Sequence, residues 1–178
     1  MRITLLALGT RGDVQPYIAL GKGLKTAGFD VTIATHELFK PMVLEHGLNF
    51  SLVRVNPQDV MGSGSGQNMV ESDNSLRSIG HLFKALKPVF LEMFDDCWDA
   101  CQKTDVAIFP NVGLFPAVTI AEKLGIKIIG GYLQPVDPTG SFPCLLLTLR
   151  NLGGMLNRFT YWLFWSGTWA LMRPITNA

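Results

Sequence analysis

Apolar residues in this chain fall into short continuous runs separated by stretches of helical spacing, and the alternation repeats. Arg2 to Leu8, "RITLLAL", is a short continuous apolar run rich in Ile and Leu, the pattern of a strand buried on both sides of a parallel sheet. From Pro16 to Ala27 the residues Tyr17, Ile18, Leu20, Leu24 and Ala27 recur at helical spacing, with Pro16 suited to the first turn and Gly28 to a left-handed C-terminal position. Phe29 to Ala34 reads as a second strand, Glu37 to His46 as a helix closed by Gly47, and Asn49 to Val55 as a third strand. Strand and helix alternating in this way imply right-handed crossovers and an α/β fold, a Rossmann-like parallel sheet with helices on both faces.

Asn56 to Ser75 breaks the pattern with Gly, Ser, Asn and Asp and is expected to be a long mobile loop. Helical spacing resumes over Leu76 to Gln102, where Leu82, Phe83, Leu86, Val89, Phe90, Met93 and Phe94 share a stripe and Pro88 predicts a kink. Asp105 to Phe109 is the fourth strand, Ala117 to Leu124 a helix capped by Gly125, and Lys127 to Leu133 the fifth strand. A Pro-rich loop follows, and then an aromatic tail, Leu145 to Met172, of helical propensity. The expected organisation is a Rossmann-like domain over 1–145 and an aromatic helical tail over 146–178. Arg158 and Arg173 bracket an uncharged stretch shorter than the ~20 residues a bilayer span needs. Two roles remain for the tail: lying in a membrane interface, or packing an apolar face against protein.

Composition narrows the function classes. The chain has 178 residues, 48% hydrophobic and 16% charged, with a net charge of +1, so it can bury a core and carries no electrostatic signature of a nucleic-acid partner. Cys97, Cys101 and Cys144 are an odd set without a histidine to complete a zinc site, and they read as buried thiols in a reducing compartment. The start "MRITLLAL" is too short for a secretory signal. The expected location is the cytoplasm, with peripheral contact to a membrane left open.

Candidate chemistry concentrates after the first strand, in Leu8 to Pro16, "LGTRGDVQP". In an open parallel sheet, ligands gather beyond the carboxyl ends of the strands, and this turn lies there. Gly9 and Gly12 permit tight backbone and close approach of a partner, and the amides at the helix start suit an anion. The turn is neither GxGxxG nor a Walker loop, and "GSGSGQN" at Gly62 to Asn68 lacks a closing Lys-Ser or Lys-Thr. Asp13 either caps the helix through backbone hydrogen bonds or acts on a ligand, and Arg11 either pairs with it or is solvated. Asp95, Asp96 and Asp99 spell the Asp-Asp-x-x-Asp pattern of magnesium-diphosphate sites in all-helical enzymes. In an alternating α/β chain they read instead as a solvated helix face, with no metal site.

"GTRGDVQP" followed by "YIALGKGLKTAGFDVTIATHELFKPMVLEHGLNF" resembles the opening of the sterol-type UDP-glycosyltransferases. "AEKLGIKIIGGYLQPVDPTGSFP", Ala121 to Pro143, resembles their later acceptor-domain segment, and "NRFTYWLFW" the helix after it. The resemblance implies the amino-terminal, acceptor-binding half of a GT-B enzyme, whose other Rossmann-like domain binds the nucleotide sugar and which transfers the sugar with inversion. It implies Asp13 as general base, with Gly9, Thr10, Arg11 and Gly12 approaching the sugar and the leaving phosphates. His36 either lines the cleft or caps the next helix. Phe109, Asn111, Phe115, Pro135, Asp137, Thr139 and Phe142 are candidates for the acceptor pocket, with Asp137 a second choice of base and a core role open for each phenylalanine. The implied donor is a UDP-sugar, UDP-glucose first, and this domain alone holds no cofactor. The implied partners are a sterol or lipid-like alcohol and a carboxyl-terminal donor domain absent from the sequence, so that transfer by this chain alone is not expected. The alternative is a non-catalytic lipid-binding or scaffolding module with the same fold.

Overall fold

The computed structural model describes residues 1–55, 75–145 and 147–176. Its strands are β1 (Arg2–Leu6), β2 (Asp30–Thr35), β3 (Asn49–Leu52), β4 (Val106–Phe109) and β5 (Lys127–Gly130). Between them lie helices α1 (Arg11–Thr26), α2 (Lys40–Glu45), α3 (Ser75–Cys101) and α4 (Leu114–Leu124), and α5 (Gly154–Thr176) follows the sheet. Short 3₁₀ turns, Glu37–Phe39 and Asn111–Gly113, lead into α2 and α4. All strand pairs are parallel, in the order β3-β2-β1-β4-β5, with Leu5 of β1 set between Ile33 of β2 and Ile108 of β4.

The continuous apolar run of β1 follows from this order, because a central strand feeds two cores. Ile3, Leu5 and Ala7 pack with Val14, Tyr17 and Ile18 of α1 and with Phe39, Val43 and Leu48. Leu6 and Leu8 face the other way, toward Met93, Cys97 and Cys101 of α3 and Ala117 and Ile120 of α4. All three cysteines are free and buried; burial pushes the Cys97 thiol up and the Cys101 thiol to about 11. Gly47 and Gly125 adopt the left-handed conformation that ends α2 and α4 as expected (φ 68° and 65°).

Several boundaries differ from the sequence reading. Helix α1 begins at Arg11, five residues before Pro16, because Thr10 caps it there; Pro16 sits in the second turn, exposed, leaving only the Gly12 carbonyl to solvent. The loop expected over 56–75 lies outside the described residues except Ser75, which opens α3, and α3 is continuous through Pro88. Asp95 and Asp99 are exposed as a solvated face requires, but Asp96 is not: it is 7% exposed and receives the Arg54 backbone N–H (2.8 Å) and guanidinium Nε and Nη2 (2.9 and 2.7 Å). Arg54 leaves β3 at the sheet edge and needs an anion there, so one acid of the three turns inward, while Glu92 meets the same guanidinium at 3.4 Å.

The chain divides into two compact units, Met1–Gly131 and Tyr132–Ala178, rather than between 145 and 146. The Pro-rich loop belongs with the tail because α5 holds it by hydrogen bonds. Helix α5 itself starts at Gly154 and not at Leu145, since Asn151 accepts the Gly153 N–H in a tight turn and Gly153 takes φ 87°. Among the described residues no helix is long and apolar enough to cross a membrane.

Candidate functional site

In a parallel sheet every strand ends at the same edge, so the residues following β1, β2 and β4 are neighbours by topology. After β1, Gly9 turns the chain with φ 142°, a conformation that side chains resist, and a Cβ there would come within 2.7 Å of Asp13 Cγ. The missing side chain makes room for the Asp13 carboxylate to fold back onto Thr10. Asp13 is the third residue of α1, and its Oδ2 accepts both the Thr10 backbone N–H (2.8 Å) and the Thr10 hydroxyl (2.9 Å). This is the capping-box arrangement, which satisfies donors that a helix start leaves open. Oδ1 takes no hydrogen bond among the described residues. One oxygen is therefore fixed, and the carboxylate plane with it.

Arg11 and Gly12 are exposed in the same first turn, and among the described residues Arg11 makes no ion pair with Asp13. One turn beyond Asp13, the buried Tyr17 donates its hydroxyl to the Gly131 carbonyl (2.8 Å) and ties α1 to the end of β5. Tyr17 read in the sequence only as a member of the apolar stripe. Its signal was the i,i+4 spacing from Asp13, which puts both on one helix face.

After β2, His36 caps the 3₁₀ turn: its Nδ1 accepts the Leu38 N–H at 3.3 Å, so that of its two expected roles the capping one is occupied. After β4, Asn111 opens the next 3₁₀ turn. Phe109, for which the pocket wall and the core were both open, is 3% exposed inside the core packed by α3 and α4, because β4 is covered on that face. The side chain of Phe115 lies outside the described residues. Among the described residues no three His, Cys, Asp or Glu side chains come together as a metal site.

The remaining candidates lie in the second unit. Pro135 and Asp137 are exposed, while Thr139 and Phe142 are half-buried and Thr139 Oγ1 accepts the Ser141 N–H (3.2 Å). Helix α5 shapes this loop from one side. Asn157, fully buried, donates to the Gly140 carbonyl (2.9 Å) and the Asn151 Oδ1 (2.9 Å), and its own Oδ1 accepts the Leu152 N–H (3.0 Å). Thr160 accepts the Cys144 N–H (2.7 Å), Tyr161 donates to the Pro143 carbonyl (3.3 Å), and Trp165 donates to the Val136 carbonyl (3.3 Å). Four side chains of one helix thus fix the backbone of residues 136–144. In the sequence these residues were visible as part of an aromatic helical segment, without a sign of the contacts they make.

Comparison with known proteins agrees with this architecture. Sterol 3-beta-glucosyltransferases of Debaryomyces hansenii and Komagataella phaffii are each 35% identical to the chain, over 167 and 194 residues, covering 93% and 99% of it. The chain spans only 10% and 15% of the length of those two relatives. Two solved glycosyltransferases share the fold at a TM-score of 0.57. They are SsfS6 of Streptomyces sp. SF2575 (24% identity, 78% of this chain and 40% of that one) and the calicheamicin glycosyltransferase CalG4 (14%, 80% and 33%). Residues 3–135 match the glycosyltransferase family 28 N-terminal domain. By that match the chain belongs to glycosyltransferase family 28, of which it carries the N-terminal domain.

Proposed function

We propose that this domain is the acceptor-binding half of an inverting glycosyltransferase, which works with a nucleotide-sugar-binding domain and transfers a sugar from a UDP-sugar, UDP-glucose first, to a hydroxyl of a sterol or other hydrophobic alcohol. The observation that carries the reading is Asp13: a carboxylate at the ligand-binding edge of the sheet, anchored through Oδ2 on Thr10 and left with Oδ1 for other work. An alcohol is a poor nucleophile until its proton has somewhere to go. In the proposed step Asp13 Oδ1 takes that proton as the alcohol oxygen bonds to the anomeric carbon. The bond from that carbon to the diphosphate breaks on the opposite face, and UDP leaves with the electron pair. A base held on a helix start by two hydrogen bonds loses little freedom in doing so. Gly9, Thr10, Arg11 and Gly12 stand beside it for the sugar and phosphates. Pro135, Asp137, Thr139 and Phe142, with Asn111 and Phe115, are the proposed acceptor contacts, and Asp137 is the second choice of base.

The test is transfer from UDP-glucose to a panel of hydrophobic alcohols by the domain joined to a family donor domain, with Asp13→Asn as control. Asparagine keeps an oxygen for Thr10 and loses the base, so kcat is expected to fall by about a hundredfold to ten-thousandfold while acceptor binding and circular dichroism are unchanged. Full activity in the variant removes the base assignment. A second reading is favoured by the capping box itself, which gives Asp13 a complete structural role: a non-catalytic lipid-binding module, whose acceptor binding ignores Asp13 and gains nothing from a donor domain.

A further inference from the structure

Tyr17 is buried in the core between α1 and the sheet, in the cluster that holds Leu5, Val14, Ile18 and Ile108. Phenylalanine would fill the same space, and a hydroxyl in an apolar core costs stability unless it is paired. Here it pairs across 114 residues, donating to the Gly131 carbonyl at 2.8 Å. Gly131 is held from its other end as well, because its N–H donates to the Phe109 carbonyl at the end of β4 (2.8 Å). A Cβ on Gly131 would lie 3.0 Å from Ile108 Cγ2 and 3.1 Å from Tyr17 Oη, so the missing side chain is what lets helix and strand close on this residue.

The pinned residue is the last of the first unit. Tyr132 opens the second unit, in which α5 holds the backbone of residues 136–144. The pin comes from the helix that carries Asp13, one turn earlier on the same face, about 6 Å away along the axis. Thr10 ties the Asp13 carboxylate to its own helix start and leaves open how that helix is set on the sheet. Packing of Val14 and Ile18 is non-directional and tolerates a small slide or rotation of α1, whereas a hydrogen bond to a fixed acceptor does not.

We propose that Tyr17 is a positioning residue for sugar transfer: its hydroxyl, gripping the Gly131 carbonyl, sets the helix that bears Asp13 against the point where the chain departs toward residues 135–142. The proposal rests on the reading of Asp13 as base and of that loop as acceptor contact. Alignment of a loop-held alcohol with the base then depends on the junction keeping its place, and a misplacement of about 1 Å is enough to cost up to about a hundredfold in rate. Water needs no loop to hold it and is far less sensitive to the junction.

The experiment compares Tyr17→Phe with the wild type, each joined to a family donor domain, in transfer from UDP-glucose to a hydrophobic alcohol and, without the alcohol, to water. Tyr17→Phe is expected to lower the ratio of the alcohol rate to the water rate at least about tenfold, with KM for UDP-glucose held. A merely structural loss removes active protein, lowers both rates together and leaves the ratio as it was. Gly131→Ala, which presses a Cβ against the same bond, is expected to lower the ratio in the same direction. In the whole chain, exchange of the Gly131 N–H should rise about tenfold in Tyr17→Phe while the amides of β1 keep their protection. An unchanged ratio in both variants overturns the positioning role and leaves the transfer reading standing, as does unchanged exchange at Gly131. A wild type that transfers to no alcohol overturns the transfer reading itself, and the proposal with it.

Discussion

Two loops of this domain follow parallel strands and are held in opposite ways. The junction between β1 and α1 is tied within four residues, with Gly9 making room and Thr10 donating twice to the Asp13 carboxylate. The loop after β5 is tied from a helix that begins ten residues beyond it, through Asn157, Thr160, Tyr161 and Trp165. A short-range tether forms with its helix at little entropic cost. A long-range tether exists only once the helix has docked, so the shape of the second loop depends on the packing of a separate element. One consequence is that the first loop is a fixed platform, whereas the second can change its shape when α5 changes.

Breaking the second tether is expected to have the largest effect. Asn157→Ala leaves the Gly140 carbonyl and the Leu152 N–H without their partner and opens a cavity, a loss of about 3 kcal/mol by denaturant unfolding. Hydrogen exchange should rise across 136–153 and stay unchanged in α1, and equal protection in both places would show that Asn157 is not the tether. Breaking the first comes next. Gly9→Ala forces a side chain into φ 142° and against Asp13, for about 2 kcal/mol, with the loss of protection confined to the start of α1.

A third contact separates sequence distance from burial. Asp105 accepts the Arg2 backbone N–H (2.7 Å) and guanidinium (2.9 Å) across 103 residues, yet both side chains are about half exposed. The Arg2 guanidinium first, and its backbone N–H second, hold the Asp105 carboxyl below the usual carboxylate range. A depressed carboxyl adds stability above its ordinary range, and that stability is lost as pH falls through the folded value. Wild type and Asp105→Asn should therefore differ slightly in Tm at neutral pH and converge in acid. A difference that persists at low pH would mean that something other than charge is lost. This is the smallest of the three effects, because the pair is solvated.

The same contrast accounts for what could be read from the amino acids alone. All five strands, the helix ends at Gly47 and Gly125, and the α/β class were legible, because period and glycine position are local signals. The cap at Asp13 was legible as one of two roles for the same reason. The inward turn of Asp96 was not, since it depends on Arg54 arriving 42 residues away in sequence. Nor was the boundary at Gly131, and Phe109 stayed open between core and pocket, because a phenylalanine at a strand end looks alike whether a helix covers it or not. The start of α1 was set by Thr10 rather than by Pro16, a case in which a cap outweighs a proline that the second turn can tolerate.

The position of β1 also governs how this domain emerges from a ribosome. Its neighbour β2 follows within about thirty residues, and with α1 the two can pair early. Its other neighbour, β4, begins only at Val106. Through most of the synthesis of this unit the central strand therefore waits with one edge unpaired, and an unpaired edge of Ile and Leu invites pairing with another chain. Protection of the nascent chain matters most before residues 106–109 have arrived to close the sheet.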